Sequence, residues 1–133
     1  MTGEQVIGTG VDLVENARVQ RMLERWGGHF RDRVFLASEQ AYCQAKASPW
    51  LYYAGRFAVK EAVSKAFGTG IGPAIGWLDI EVVKDVASGA PSVRLSPRGA
   101  ALAETRRVSR VLSSLSHTRH FAVAQALLVA RAA

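Results

Sequence analysis

The chain has a single cysteine, Cys43, so it cannot form an internal disulfide, and it shows no Cys/His spacing of the kind that seats zinc. Cys43 reads as a small apolar residue of the interior. There is no Ser-His-Asp or Cys-His arrangement to suggest a covalent nucleophile. No stretch approaches the roughly 20 apolar residues of a membrane span, and Met1 to Gln5 lack the basic start and apolar run of a secretion signal. A cytoplasmic protein with no membrane partner is expected. Aromatic residues are only 8% and are not interleaved with basic ones, which counts against a nucleic-acid platform. Acidic residues are also scarce, 11 against 17 Lys and Arg, for a net charge of +6. That balance favours an anionic partner (nucleic acid, phosphorylated ligand or acidic protein) without choosing among them.

What is present is a chain of 133 residues, 49% apolar, enough for one domain over residues 1–133 with its own core. Val6 to Val14 has strand periodicity, with Ile7, Thr9, Val11 and Leu13 on one face and Gly8, Gly10, Asp12 and Val14 on the other. Glycines beside a lone Asp leave room for a ligand or another backbone. Glu15 to Trp26 reads as an amphipathic helix with Val19, Met22, Leu23 and Trp26 inward, stopped by Gly27-Gly28. Arg18, Arg21 and Arg25 form a basic stripe on another face. Ser38 can cap a short helix through Tyr42. Trp77 to Val83 alternates as a strand, which puts Asp79 and Glu81 on one solvated face. Ser92 to Leu95 is a second strand, and Ser96-Pro97 opens a short helix to about Arg107. Val108 to His117 and Phe121 to Ala130 read as antiparallel strands, the last apolar enough to be buried on both faces. Ser114, Ser116 and Thr118 surround His117, a set able to hold phosphate or sugar.

The centre of the chain is a helix from Pro49 to Phe67, closed by Gly68 and followed by Thr69-Gly70. Phe57, Glu61 and Lys65 recur every four residues and share a face. Arg56, Lys60 and Lys65 surround Glu61, although like charges four apart repel. Three cations around one carboxylate suit a polyanion that brings its own metal ion.

These pieces in order resemble the small bacterial holo-acyl-carrier-protein synthases of the 4′-phosphopantetheinyl transferase superfamily. The likeness rests on Gly8-Thr9-Gly10-Val11-Asp12-Leu13, on Gly55-Arg56-Phe57 and Lys60-Glu61-Ala62-Val63-Ser64-Lys65-Ala66, and on Gly68-Thr69-Gly70. Trp77-Leu78-Asp79-Ile80-Glu81 and Ser114-Leu115-Ser116-His117-Thr118 extend it along the chain. The resemblance implies transfer of phosphopantetheine from coenzyme A to a serine of apo acyl carrier protein, releasing adenosine 3′,5′-bisphosphate.

By the same resemblance Asp12 and Glu61 hold magnesium, Lys65 contacts the diphosphate, and Arg56 and His117 lie near the adenosine 3′-phosphate. Lys60 lies close to the reacting groups, Glu61, directly or through a metal-bound water, is the candidate proton acceptor, and Gly68 and Gly70 offer a backbone surface for coenzyme A. Val14 stands where larger relatives place a further acid, so water and diphosphate must complete the metal's sphere. The arginine stripe at Arg18, Arg21 and Arg25 is the expected dock for the acidic carrier. The implied fold is α+β, a small antiparallel sheet packed against a long central helix, in a homotrimer with active sites between subunits. Two rivals are a nucleic-acid-binding module, for its basic charge and Arg106, Arg107 and Arg110, and a magnesium-dependent phosphohydrolase acting on nucleotides.

Overall fold

The alternation expected along the first strand sets the layers of the molecule. In the computed structural model, which describes residues 3–132, this stretch is strand β1 (Glu4–Glu15). Gly8, Gly10, Asp12 and Val14 face the interior, while Thr9, Val11 and Leu13 face outward. Helices α1 (Asn16–Trp26), α2 (Gly28–Val34), α3 (Ala37–Gln44) and α4 (Pro49–Ala66) follow. A 3-10 turn (Trp77–Asp79) leads to strands β2 (Ile80–Lys84) and β3 (Pro91–Leu95). Helix α5 (Pro97–Thr105) and strands β4 (Val108–His117) and β5 (Phe121–Arg131) complete the described chain.

The sheet order is β1-β5-β4, antiparallel throughout, and β2 and β3 pair antiparallel on their own. Helix α4 packs against β1 and β5, so the architecture is the expected α+β arrangement around a long helix. Tyr53, Ala54, Phe57, Ala58, Val59, Ala62 and Val63 are all buried. Each fully buried Val or Phe contributes about 1.5–3 kcal/mol, and packing rather than helix propensity holds α4 in place.

Strand and helix touch backbone to backbone. A Cβ on Gly8 would collide with Ala66 O, and one on Gly10 would collide with Ala62 O and lie 2.7 Å from Ala66 N. Only glycine permits that crossing, and it carries Asp12 to the end of α4. The helix closes through Gly68 and Gly70, at φ 80° and 63°. Their N–H groups donate to Lys65 O (2.9 Å) and Ser64 O (3.1 Å).

Several elements differ from expectation, each for a local reason. Gly27 (φ 51°) stops α1, but Gly28 opens a further helix. Trp26 is 53% exposed, with the Arg25 guanidinium 4.9 Å from its ring centroid, because the core closes over Val19 instead. Helix α3 starts at Ala37, and the Ser38 hydroxyl donates to Glu81 Oε2 (2.6 Å) rather than capping. Asp79 accepts from Gly76 N–H and from the Ser96 hydroxyl, both at 2.7 Å, which folds Trp77–Asp79 into the 3-10 turn. Asp79 and Glu81 therefore do not share a strand face. Strand β5 is not buried on both faces: Ala122, Ala124 and Ala126 are buried, while Phe121, Val123 and Gln125 are exposed. No element of the described chain covers that outer face.

Candidate active site

Asp12 and Lys65 are 53 residues apart in sequence, yet Lys65 Nζ lies 2.9 Å from Asp12 Oδ1. The same ammonium donates to Val11 O at 3.2 Å. Glu61, one turn before Lys65 on α4, completes the group. Burial pushes the Glu61 carboxyl up from its ordinary value and the nearby Asp12 carboxylate adds to this, with Lys65 and Arg18 acting the other way. Two acids and one ammonium thus meet where β1 crosses α4. The Asp12 side chain is 14% exposed and that of Lys65 49%, so the group is open to a ligand.

Among the described residues no group of three or more His, Cys, Asp and Glu converges as a metal site. Two carboxylates nevertheless suit a hard divalent ion that takes its remaining oxygens from phosphate and water. Such an ion would offset the Asp12 charge, the lesser of the two causes that raise Glu61.

A second cluster lies beside the same helix. Arg56 is buried, its Cζ 4.0 Å above the Tyr42 ring, and its Nε has no hydrogen-bond partner. The Lys46 ammonium lies 4.7 Å from the Tyr42 centroid and 5.4 Å from that of Tyr52. His117 packs over Gly55: a Cβ there would lie 2.7 Å from Cε1 and 2.8 Å from Nε2. Burial first, and the Arg56 charge second, hold the imidazole below the usual histidine value. Arg56 opens onto a cavity of about 440 Å³ walled by Ser38 and Tyr42 on one side and Glu81, Val82 and Val83 on another. Arg56, with its unpartnered donor, and Lys84 are the cations that line it, beside the Glu81 carboxylate, and a buried guanidinium with a free donor suits an anion. At Gly68 and Gly70 nothing lies within 4 Å of the position a Cβ would take, which leaves open backbone beside Lys65.

Arg18, Arg21 and Arg25 are exposed along α1, and Arg18 is close enough to influence Glu61. Lys60 is placed otherwise than expected. Its ammonium is fully buried, 2.7 Å from Glu39 Oε1, and it donates to Trp77 O (2.9 Å) and Ile80 O (2.6 Å). All three protons are taken, which gives Lys60 an interior position instead of one open to a ligand. The expected ring of cations around Glu61 reduces to Lys65 and Arg18, because Arg56 and Lys60 turn inward. The hydroxyl cluster at His117 is likewise divided. Ser114 and Ser116 lie exposed on alternate strand positions, and the Thr118 hydroxyl accepts from Phe121 N–H (2.9 Å) to shape the turn.

Two contributors escaped sequence reasoning, Glu39 and Tyr42, and Gly55 entered it only within the Gly55-Arg56-Phe57 motif, without its packing role. Gly55 did carry a signal, since an isolated glycine inside a helix usually has a packing reason. Glu39 carried another, as its Oε1 accepts from Leu36 N–H (2.8 Å) three residues back in the manner of a helix-start glutamate.

Comparison with known proteins defines the class. The sequence profile of the 4′-phosphopantetheinyl transferase superfamily matches residues 8–126, and the chain belongs to that superfamily. The particular type of transferase follows from individual relatives. The chain is 43% identical over 121 residues to the holo-[acyl-carrier-protein] synthase of Protochlamydia amoebophila, covering 91% of this chain and 96% of that one. The crystal structure of the Neisseria meningitidis holo-[acyl-carrier-protein] synthase superposes with a TM-score of 0.87 at 31% identity, covering 93% and 98% of the two chains. That of Helicobacter pylori in complex with coenzyme A gives 0.80 at 32% identity, covering 90% and 98%. This chain is an enzyme of the holo-[acyl-carrier-protein] synthase type.

Proposed function

We propose that the enzyme transfers 4′-phosphopantetheine from coenzyme A to a serine hydroxyl of apo acyl carrier protein, releasing adenosine 3′,5′-bisphosphate. The observation that carries this reading is the meeting of Asp12, Glu61 and Lys65 at the crossing of β1 and α4. Names of relatives and the coenzyme A complex of the H. pylori enzyme support the substrate pair.

In the reaction the serine oxygen bonds to the phosphorus next to pantetheine, and the anhydride bond to adenosine bisphosphate breaks. Glu61, directly or through a water held by the ion, receives the serine proton. Lys65 turns from Asp12 toward the diphosphate and stabilises charge on the departing phosphate. Asp12 and Glu61 would hold the magnesium ion, which supplies charge neutralisation at the diphosphate when bound. Arg56 and His117 bind the adenosine 3′-phosphate, and Gly68 and Gly70 offer open backbone along the coenzyme. Lys60 has no part in this scheme.

The carrier protein docks on Arg18, Arg21 and Arg25, of which Arg18 acts on Glu61. The homotrimer is supported by the outer sheet face, where Val11, Leu13, Leu112, Phe121 and Val123 are exposed together.

Intact-mass measurement of apo carrier incubated with enzyme, coenzyme A and magnesium tests the whole reading. A gain of one phosphopantetheine group is expected. An unmodified carrier while adenosine bisphosphate accumulates would replace transfer with hydrolysis.

A further inference from the structure

Glu39 and Lys60 form an ion pair with both side chains at 0% exposure. Every donor and acceptor in it is engaged. Glu39 Oε1 takes Lys60 Nζ (2.7 Å) and Leu36 N–H (2.8 Å), and Oε2 takes Val82 N–H (2.8 Å). Lys60 spends its other protons on Trp77 O and Ile80 O. One closed network therefore joins the start of α3, the middle of α4, the 3-10 turn and β2.

Burying two charges is costly, and apolar residues of similar volume commonly serve stability as well or better. The position of the pair points to another purpose. Ser38 and Tyr42 flank Glu39 on α3, Arg56 lies one turn before Lys60 on α4, and Glu81 and Val83 flank Val82 on β2. Those residues are the walls of the Arg56 cavity. The Ser38–Glu81 hydrogen bond at 2.6 Å ties the same two walls one residue away. Glu61, next after Lys60, sits in the Asp12–Lys65 group.

We propose that the Glu39–Lys60 pair is a positioning device that sets the spacing of the cavity walls around Arg56, and so aligns the bound nucleotide end of coenzyme A with Glu61 and Lys65. This rests on the coenzyme A reading above. Both residues act through others, since neither side chain reaches the cavity.

Calorimetric binding of adenosine 3′,5′-bisphosphate to wild type, to Glu39→Asp and to the double variant Glu39→Leu with Lys60→Met provides the test. Glu39→Asp keeps Lys60 paired but is one methylene too short to hold Val82. The double variant removes both charges and keeps an apolar core. Circular dichroism melts report folding, and steady-state assays report the Michaelis constant for coenzyme A.

Both folded variants are expected to bind the nucleotide at least about tenfold more weakly, and the coenzyme A Michaelis constant is expected to rise more than turnover falls. Binding within twofold of wild type by either folded variant overturns the proposal and leaves the pair a purely structural one. Should the double variant fail to fold, Glu39→Asp alone decides. If wild type itself does not bind the nucleotide, the coenzyme A reading fails first and the proposal falls with it.

Discussion

Lys65 Nζ stands 2.9 Å from Asp12 Oδ1, and this contact exists because Gly8 and Gly10 let strand β1 lie against the backbone of helix α4. A lysine paired with one carboxylate beside a second is an arrangement suited to an anion and a cation together. The ammonium can exchange one partner for the other without moving its helix.

Replacing Lys65 by Ala removes one charge from the departing phosphate. Loss of a comparable electrostatic contact costs about 2.7–4 kcal/mol of barrier, so turnover is expected to fall by about two to three orders of magnitude. Single-turnover mass measurements at saturating coenzyme A check this. Near wild-type turnover refutes the role given to Lys65.

Gly10→Ala forces a methyl into Ala62 O. The strand must lift from the helix, and overpacking of this kind costs about 1–3 kcal/mol. A lower melting temperature is expected together with a loss of turnover larger than the stability loss explains, because Asp12 leaves Glu61. A variant with the wild-type melt and rate would show that the crossing is looser than described.

His117 titrates below the usual histidine value in the free protein because of burial and then Arg56. With the folded value depressed, the native state binds fewer protons than the unfolded state around pH 6. The contribution of His117 to stability is therefore fully present at higher pH and is lost as pH falls through the folded value. A bound 3′-phosphate favours the charged ring, so nucleotide affinity should rise as pH falls over that range. His117→Gln should flatten this part of the pH profile of adenosine bisphosphate binding. An unchanged slope in the variant removes His117 from the phosphate site.

Arg18→Glu with Arg21→Glu reverses two charges on the exposed face of α1. The Michaelis constant for the carrier is expected to rise at least about tenfold, with weaker salt dependence, while coenzyme A binding stays within twofold. Equal weakening of both substrates would make the stripe structural.

The uncovered sheet face predicts assembly. Leu13→Glu with Val123→Glu puts two charges at directly paired positions on that face. Sedimentation should show the wild-type chain as a trimer and the variant as a monomer with much reduced turnover. A monomeric wild type at working concentration would remove the trimer from the scheme.

The order and kind of most elements were legible in the sequence, because period-two and period-four patterns report which face is buried. Glycine and proline punctuate the rest: Pro49 at the start of α4, Gly68 past its end, Ser96-Pro97 opening α5. The residue types of the Asp12, Glu61 and Lys65 group were legible as well, and Gly8 and Gly10 already indicated a close approach at that strand. Where Trp77–Asp79 became a 3-10 turn, the deciding contacts were Asp79 with Gly76 and Ser96, and a side chain reaching 17 residues away leaves no local pattern.

Sequence by itself supplied the residue types of the candidate site: two acids, a lysine, an arginine and a histidine, on elements whose kind and order its periodicity indicated. Tertiary structure alone decided which cations belong to the site, since Lys65 and Lys60 differ only by their angle around one helix. That angle turns one ammonium toward Asp12 and the other into the interior against Glu39, where desolvation would be prohibitive without the carboxylate and two carbonyls that receive it. No periodicity encodes the partner at that distance, so only packing could separate the two.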